Sequence, residues 1–356
     1  MDFKSYRTSI ILALVSGLLL STFWFFPDFA FIIFLSLLLQ LVLRPVMNLI
    51  LRFMRWRFSN GIAAGITMIL FIALLILFLT LLSRSFLPTF TRFISDLPNL
   101  TLNLQDIQIF NDSHFLATEI DALLIEMRSF SAQILRSSLS IALSIFSKFI
   151  DFVIIIFVTF YLLKDGHLIQ SYLAGLFPHA SYTRIMTLFD RILDGLRAYI
   201  FSQLIMCLIT AVVVFIYFSM QGLPYASVFA FLSGLAEFIP VLGPTIASAF
   251  GTILTIPTAP SLVWQTLAFY IILTQVNHNI IYPAIIGKAV NLHPIAIILG
   301  VILGDELLGG AGMFLAVPFI VILGIIIDDI YKDRMIVNHA KNLAKTVLPS
   351  STETKK

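Results

Sequence analysis

Apolar positions run through this chain in long unbroken stretches, without the regular polar interruption of an element wetted on one face. Residues 8–27 carry no charge and end at Pro27; residues 29–43 are apolar and finish at Arg44-Pro45; residues 58–83 again carry no charge. Residues 152–163 form the apolar heart of a fourth segment. From 198 to 236 and from 238 to 287 the single formal charge interrupting the run is Glu237, and residues 307–327 close the series. A helix needs about 20 apolar residues to cross the hydrocarbon layer. The pattern therefore predicts an all-α polytopic integral membrane protein with six to eight transmembrane helices.

One stretch differs. Residues 84–147 place apolar side chains at three- and four-residue spacing, in Phe86–Leu97 and again through Leu116, Ile120, Leu123, Met127, Phe130 and Ile134. Leu102, Leu104, Ile107 and Ile109 between them suggest a short alternating piece. The expected organisation is transmembrane helices in 1–83, a small extramembrane helical module in 84–147, a transmembrane core in 148–330 and a basic tail in 331–356.

Composition agrees. Of 356 residues, 59% are apolar and 12% charged, against roughly 25% charged in soluble domains, and mean hydropathy is +1.01. There is not enough polar surface to coat a water-facing protein, which excludes a cytosolic enzyme, a disordered chain and a secreted disulfide scaffold. The net charge of +3 is too small to imply nucleic acid. Cys207, the only cysteine, lies in an apolar run and reads as a packing residue. The first apolar stretch follows Lys4 and Arg7 and is long enough to span, so it reads as retained and not as a cleaved signal.

The cations set an expected orientation. Lys4 and Arg7, the group Arg44, Arg52, Arg55 and Arg57, the group Lys164, Arg184, Arg191 and Arg197, and the tail cations from Lys332 onward all fall on one side if 84–147, where acids outnumber Lys and Arg, lies on the other. Both termini are then cytoplasmic.

The C-terminal half contains two helix-breaking stretches. Gly222–Gly251 holds Pro224, Pro240 and the Gly243-Pro244 pair; Leu292–Leu323 repeats the arrangement. Pro224 and Gly234 match Pro294 and Gly304 at an offset of 70, and Glu237 and Gly243 match Glu306 and Gly312 at 69. Each stretch follows a long apolar helix, near 198–220 and 262–281. Prolines and glycines in mid-membrane free backbone groups that lipid cannot satisfy, so they survive only inside protein or beside a wet cavity. Two interrupted, re-entrant helix pairs would give six crossings and two fully spanning pairs eight. The re-entrant case forms an inverted repeat, which transporters use to build a site at mid-depth; chance similarity between small, apolar sequences is the plainer explanation.

Three carboxylates fall in these stretches: Glu237, Asp305 and Glu306. A charge at the bilayer centre costs at least about 2.5–3.5 kcal/mol, so each is either a functional group or a helix cap in water at a hairpin tip. Gln275, Asn277, His278 and Asn279 crowd four polar residues into five positions of an apolar helix, and some must face a bundle interior, for helix–helix hydrogen bonding or for a solute. No HExxH, GxSxG, P-loop or GxGD motif is present, and the histidines lack ligand spacing. The chain reads as a non-enzyme with no metal and no cofactor.

Several spaced motifs carry a family resemblance: Leu43-Arg44-Pro45-Val46-Met47-Asn48, Leu162-Leu163-Lys164-Asp165-Gly166, Gly222-Leu223-Pro224-Tyr225-Ala226 and Phe238-Ile239-Pro240-Val241-Leu242-Gly243-Pro244. They continue through Gln275–Pro283, Gly287-Lys288, Leu292-His293-Pro294 and Gly309–Pro318. In these the chain resembles the autoinducer-2 exporter family of bacterial permeases, from about residue 8 to 330; the 84–147 module matches only in position and character. The resemblance implies an inner-membrane transporter, a homo-oligomer, exporting the furanone autoinducer-2 or exchanging sodium or lithium for protons. Where the family often has an acid, this chain has Asn277.

The combined expectation is a permease that works by alternating access without ATP hydrolysis. Its substrate or ion pathway is expected at Glu237, Pro240, Gly243, Pro244, Gln275, Asn277, Asn279, Gly304, Asp305, Glu306, Gly309 and Gly312. A non-transporting scaffold acting through 84–147 is the alternative from another class.

Overall fold

The computed structural model describes residues 7–53, 59–96, 125, 138–178, 181–240, 242–286 and 293–347. The expected alternating piece at 102–109 and the apolar series from Leu116 to Ile134 lie outside them. Every regular element among the described residues is helical. These are α1 (Arg7–Phe25), α2 (Pro27–Phe53), α3 (Asn60–Ser85), α4 (Leu87–Asp96), α5 (Ser138–Gly175) and α6 (Tyr182–Met220). They continue as α7 (Ala226–Ala236), α8 (Leu242–Thr258), α9 (Val263–Val276), α10 (Tyr282–Ile286), α11 (Pro294–Leu308) and α12 (Gly310–Val347). A 3₁₀ turn at Pro260–Leu262 leads into α9, and a π-helical turn at Asn277–Ile281 joins α9 to α10.

Among the described residues five helices are long and apolar enough to cross a membrane: Pro27–Phe53, Asn60–Ser85, Lys148–Gly175, Tyr182–Met220 and Gly310–Tyr331. Their outer faces are greasy. Along α3, Ile69, Leu70, Leu74, Ile76 and Leu77 are all exposed, a patch that water would penalise heavily and lipid accepts. The protein is a multi-pass α-helical membrane protein.

The second apolar stretch does not stop at Arg44-Pro45. Helix α2 runs through Pro45 to Phe53. Proline removes one backbone donor, but leaving a chain end unpaired in lipid costs more than a weakened turn. Packing holds the helix together across the proline: Leu43 and Met47, on either side of Pro45, are buried in one cluster with Ala63, Ala64 and Met68 of α3 and Leu163 of α5. Arg44 donates from Nη1 to the Leu163 carbonyl at 2.6 Å, which places its charge on a helix backbone and not in lipid. Pro27 itself opens α2, with Asp28 in the first turn, where the missing N–H is no loss and an acid suits the helix dipole.

The chain divides into two compact units, each with its own core: Met1–Phe31, Gly166–Leu196 and Leu292–Lys356 form one, and Ile32–Asp165 and Arg197–Asn291 the other. In the first, Leu12, Ala174, Phe177, Ile185 and Leu188 are buried together. Arg184 donates to the Asp329 carboxylate from Nε at 3.0 Å and Nη2 at 2.7 Å, and Arg191 to Asp328 at 2.8 Å. In the second, Val214, Phe218, Val228, Phe229, Leu254 and Tyr270 form the largest core, with Phe93 and Ile94 of α4 buried in it.

Candidate functional site

The chain between α7 and α8 turns tightly because its residues forbid a continuous helix. After Ala236 the backbone closes two short turns, Phe238 N–H to the Leu235 carbonyl (3.1 Å) and Ile239 N–H to the Ala236 carbonyl (3.0 Å). Pro240 supplies no donor; Val241 lies outside the described residues. Gly243 and Pro244 fall in the first turn of α8, both buried, where a proline N–H would have had no partner. A Cβ on Gly243 would overlap the carbonyl of Ala236, so only glycine lets α8 start against the end of α7.

Glu237 caps the C-terminal end of α7 with 6% of its surface exposed. Its Oε1 accepts from the Thr210 hydroxyl at 2.8 Å and from Asn277 Nδ2 at 3.0 Å. Asn277 Nδ2 also donates to Thr210 Oγ1 at 2.9 Å, closing a triangle. Gln203 Nε2 donates to the backbone carbonyl of Glu237. Thus α6 supplies Gln203 and Thr210, the break after α7 supplies the acid, and the π turn supplies Asn277. All four are buried, and among the described residues no Lys or Arg pairs with Glu237.

A buried carboxylate needs donors to replace its water shell, and this one has an amide and a hydroxyl. The surplus lies in acceptors. Gln203 Oε1 and Asn277 Oδ1 are buried without a hydrogen-bond partner among the described residues. Natively buried polar atoms are nearly always paired, so exceptions call for a reason. Two spare carbonyl oxygens beside a carboxylate can accept from a hydroxylated solute or ligate a small cation. The π turn fits that use: such insertions are rare, expose backbone groups and recur at functional positions.

Of the polar cluster expected on one helix, only Asn277 turns inward. Gln275 and Asn279 are exposed and bond each other, Asn279 Nδ2 to Gln275 Oε1 at 2.8 Å; His278 is exposed as well.

The remaining expected residues belong to the other unit. There α11 and α12 are separated by Gly309 at φ +59°, ψ −143°, a conformation that is nearly glycine's alone. The Gly309 N–H caps α11 on the Asp305 carbonyl at 2.7 Å. Gly304 and Gly312 meet backbone to backbone, each too close to the other for a Cβ. Asp305 and Glu306 present exposed side chains on the final turn of α11.

Thr210 and Gln203 were not anticipated. The signal available was their spacing of seven, two turns on one face of the otherwise apolar 198–220 run. Ser233 and Tyr270 were missed too: their hydroxyls lie 3.3 Å apart in the same buried unit.

A family model described as AI-2E family transporter matches residues 11–332. YueF of Bacillus subtilis is 28% identical over 311 residues, covering 83% of this chain and 84% of its own length. TqsA of Escherichia coli, an AI-2 transport protein, is 25% identical over 304 residues, 83% of this chain and 84% of its own. PerM of Escherichia coli is 24% identical over 279 residues, 76% and 79% respectively.

Proposed function

We propose, from the premise that this chain belongs to the AI-2E transporter family, that it moves a small polar solute across the bacterial inner membrane, with export of an autoinducer-2-like signal as the favoured activity. Flux runs by alternating access without ATP hydrolysis, both termini face the cytoplasm, and the protein works as a homo-oligomer. The observation that carries this reading is the Glu237 cluster. A carboxylate, a threonine hydroxyl and two amides converge at a helix break, and two of their oxygens are buried and unpaired.

A polyhydroxylated furanone offers several O–H donors within a few ångströms, the complement of acceptor oxygens on Gln203, Asn277 and Glu237. Such a solute uses the carboxylate as one acceptor among several. An exchanger of sodium or lithium for protons uses its charge directly. Replacing the acid with its isosteric amide, Glu237→Gln, separates the two.

The test is flux into proteoliposomes of purified protein, with a labelled sugar-like furanone, sodium and protons followed separately. The expected result is solute flux well above that of empty liposomes, cut several-fold in Glu237→Gln and not abolished. Solute flux no greater than in empty liposomes overturns the reading. Sodium-linked proton movement that vanishes entirely in Glu237→Gln replaces it with the exchanger.

A further inference from the structure

The helix ahead of the 97–137 stretch does more than link elements. Helix α4 is amphipathic, and its apolar side lies on the core of the larger unit: Phe93 is 2% exposed. The Phe93 ring stands edge-on to Tyr225 (5.2 Å between centroids), Phe229 (6.0 Å) and Phe250 (6.1 Å). At its C-terminal end Asp96 Oδ2 accepts from the Tyr225 hydroxyl at 2.6 Å. Tyr225 makes that bond from φ +60°, the one non-glycine with positive φ among the described residues. Bulky side chains rarely adopt this backbone, and it persists where surrounding contacts impose it.

Beneath these contacts lies a cavity lined by Phe93, Phe218, Tyr225, Phe229 and Thr255, among others. Its volume is about 10 Å³, room for a single water and for no solute. A series of buried hydroxyls, packed closely on one another, runs from its wall toward the helix end that carries Glu237. Thr255 bonds the Gly251 carbonyl one turn back on α8. The Tyr270 hydroxyl lies against Gly251, where a Cβ would come within 2.5 Å of it, and reaches Ser233. Ser233 is one turn before Glu237 on α7, and Tyr270 two turns before Asn277 on α9, so each pair shares a helix face.

We propose that this series of hydroxyls marks the solute's route to Glu237, and that α4, held by the Tyr225–Asp96 hydrogen bond, is the gate that closes it. The inference rests on the transport reading for the solute, and on geometry alone for the gate. An aromatic mouth packs against the C–H face of a sugar-like ring while the hydroxyls behind it exchange hydrogen bonds with a polyol. The small cavity means that α4 must lift before anything larger than water enters.

The gate is tested by accessibility. Full-length protein carrying Cys207→Ser and Thr255→Cys is placed in nanodiscs, which leave both membrane faces open, and labelled with a small charged methanethiosulfonate. Tyr225→Phe keeps the ring and loses the donor; Asp96→Asn keeps the shape and weakens the acceptor. Each should raise the labelling rate severalfold, the size expected for losing a charge-assisted hydrogen bond at an exposed position, and the pair together no more than either alone. Rates within twofold of the intact latch overturn the gate. So does an equal acceleration at Thr67→Cys, a fully buried site on α3 in the same unit, because that would report general loosening.

The route is tested by flux. Proteoliposomes of the Thr255→Cys protein should lose solute flux once the thiol carries the adduct, and regain it when a reducing thiol removes the adduct. Undiminished flux through labelled protein overturns the route. If no variant moves solute, the transport reading and the route fall together, while the labelling rates still decide the gate.

Discussion

Truncating Glu237 separates its hydrogen-bonding role from its charge. Glu237→Gln and Glu237→Ala both remove the buried charge, so whatever desolvation cost the carboxylate carries cancels between them. What differs is the acceptor. Glutamine offers a carbonyl oxygen to the Thr210 hydroxyl and Asn277 Nδ2, now 2.8 and 3.0 Å from Oε1. Alanine leaves the Thr210 proton and one Asn277 N–H without that acceptor at a buried position. Gln203 is untouched, because it bonds the backbone carbonyl. An orphaned buried donor costs about 1–3 kcal/mol, while interhelical hydrogen bonds in bilayers average only about 0.6 kcal/mol. Two donors near the low end of the first range give about 2 kcal/mol between the variants. At 2–4 °C per kcal/mol, the alanine variant should unfold about 4–8 °C below the glutamine variant. The assay is thermal unfolding in detergent, followed by tryptophan fluorescence. Adding Thr210→Val to both removes one of the two donors and should shrink the gap by about half. Equal midpoints for glutamine and alanine, or a gap insensitive to Thr210→Val, would refute the triangle.

Two further outcomes follow from the smaller unit. Gly309→Ala forces a side chain into φ +59°, costing about 1–3 kcal/mol, and should lower the thermal midpoint by several degrees. Gly310→Ala, at the next position with open space around it and no positive φ, should leave the midpoint nearly unchanged. Arg184→Lys keeps the charge facing Asp329 but replaces two donors with one. It should destabilise by about 1 kcal/mol, and a midpoint equal to the parent's would show that charge alone accounts for the Arg184–Asp329 pair.

Much of the candidate site was readable in advance because its cause is local. Glu237 is the lone charge in some ninety residues of apolar chain, from 198 to 287, and a lone acid there must avoid lipid. Pro240, Gly243 and Pro244 mark a break by what they lack, an N–H or a side chain, and the turn after α7 follows. The helical wheel also held a distinction within the Gln275–Asn279 group: at 100° per residue, Asn277 lies about 200° from Gln275, so one of the two had to face away from the interior. All three carboxylates, Glu237 included, also fitted helix caps in water, and for Asp305 and Glu306 the structure shows exposed side chains. Those two stand beside a glycine-rich break, where a helix end can carry acids at an exposed surface.

Hydropathy by itself determined that this chain lives in a bilayer, because the deficit of charge is a property of composition that no folding can repair. The sequence likewise determined the break after α7, at Pro240, Gly243 and Pro244. It did not determine that α2 continues through Pro45, since that rests on the packing of Leu43 and Met47 against α3 and α5. Nor could it join Thr210, Gln203 and Asn277 to Glu237, partners 27 to 40 residues distant in the chain. Helix rupture is encoded residue by residue, but the meeting of polar groups from three helices depends on how those helices pack, and only the tertiary structure decides it.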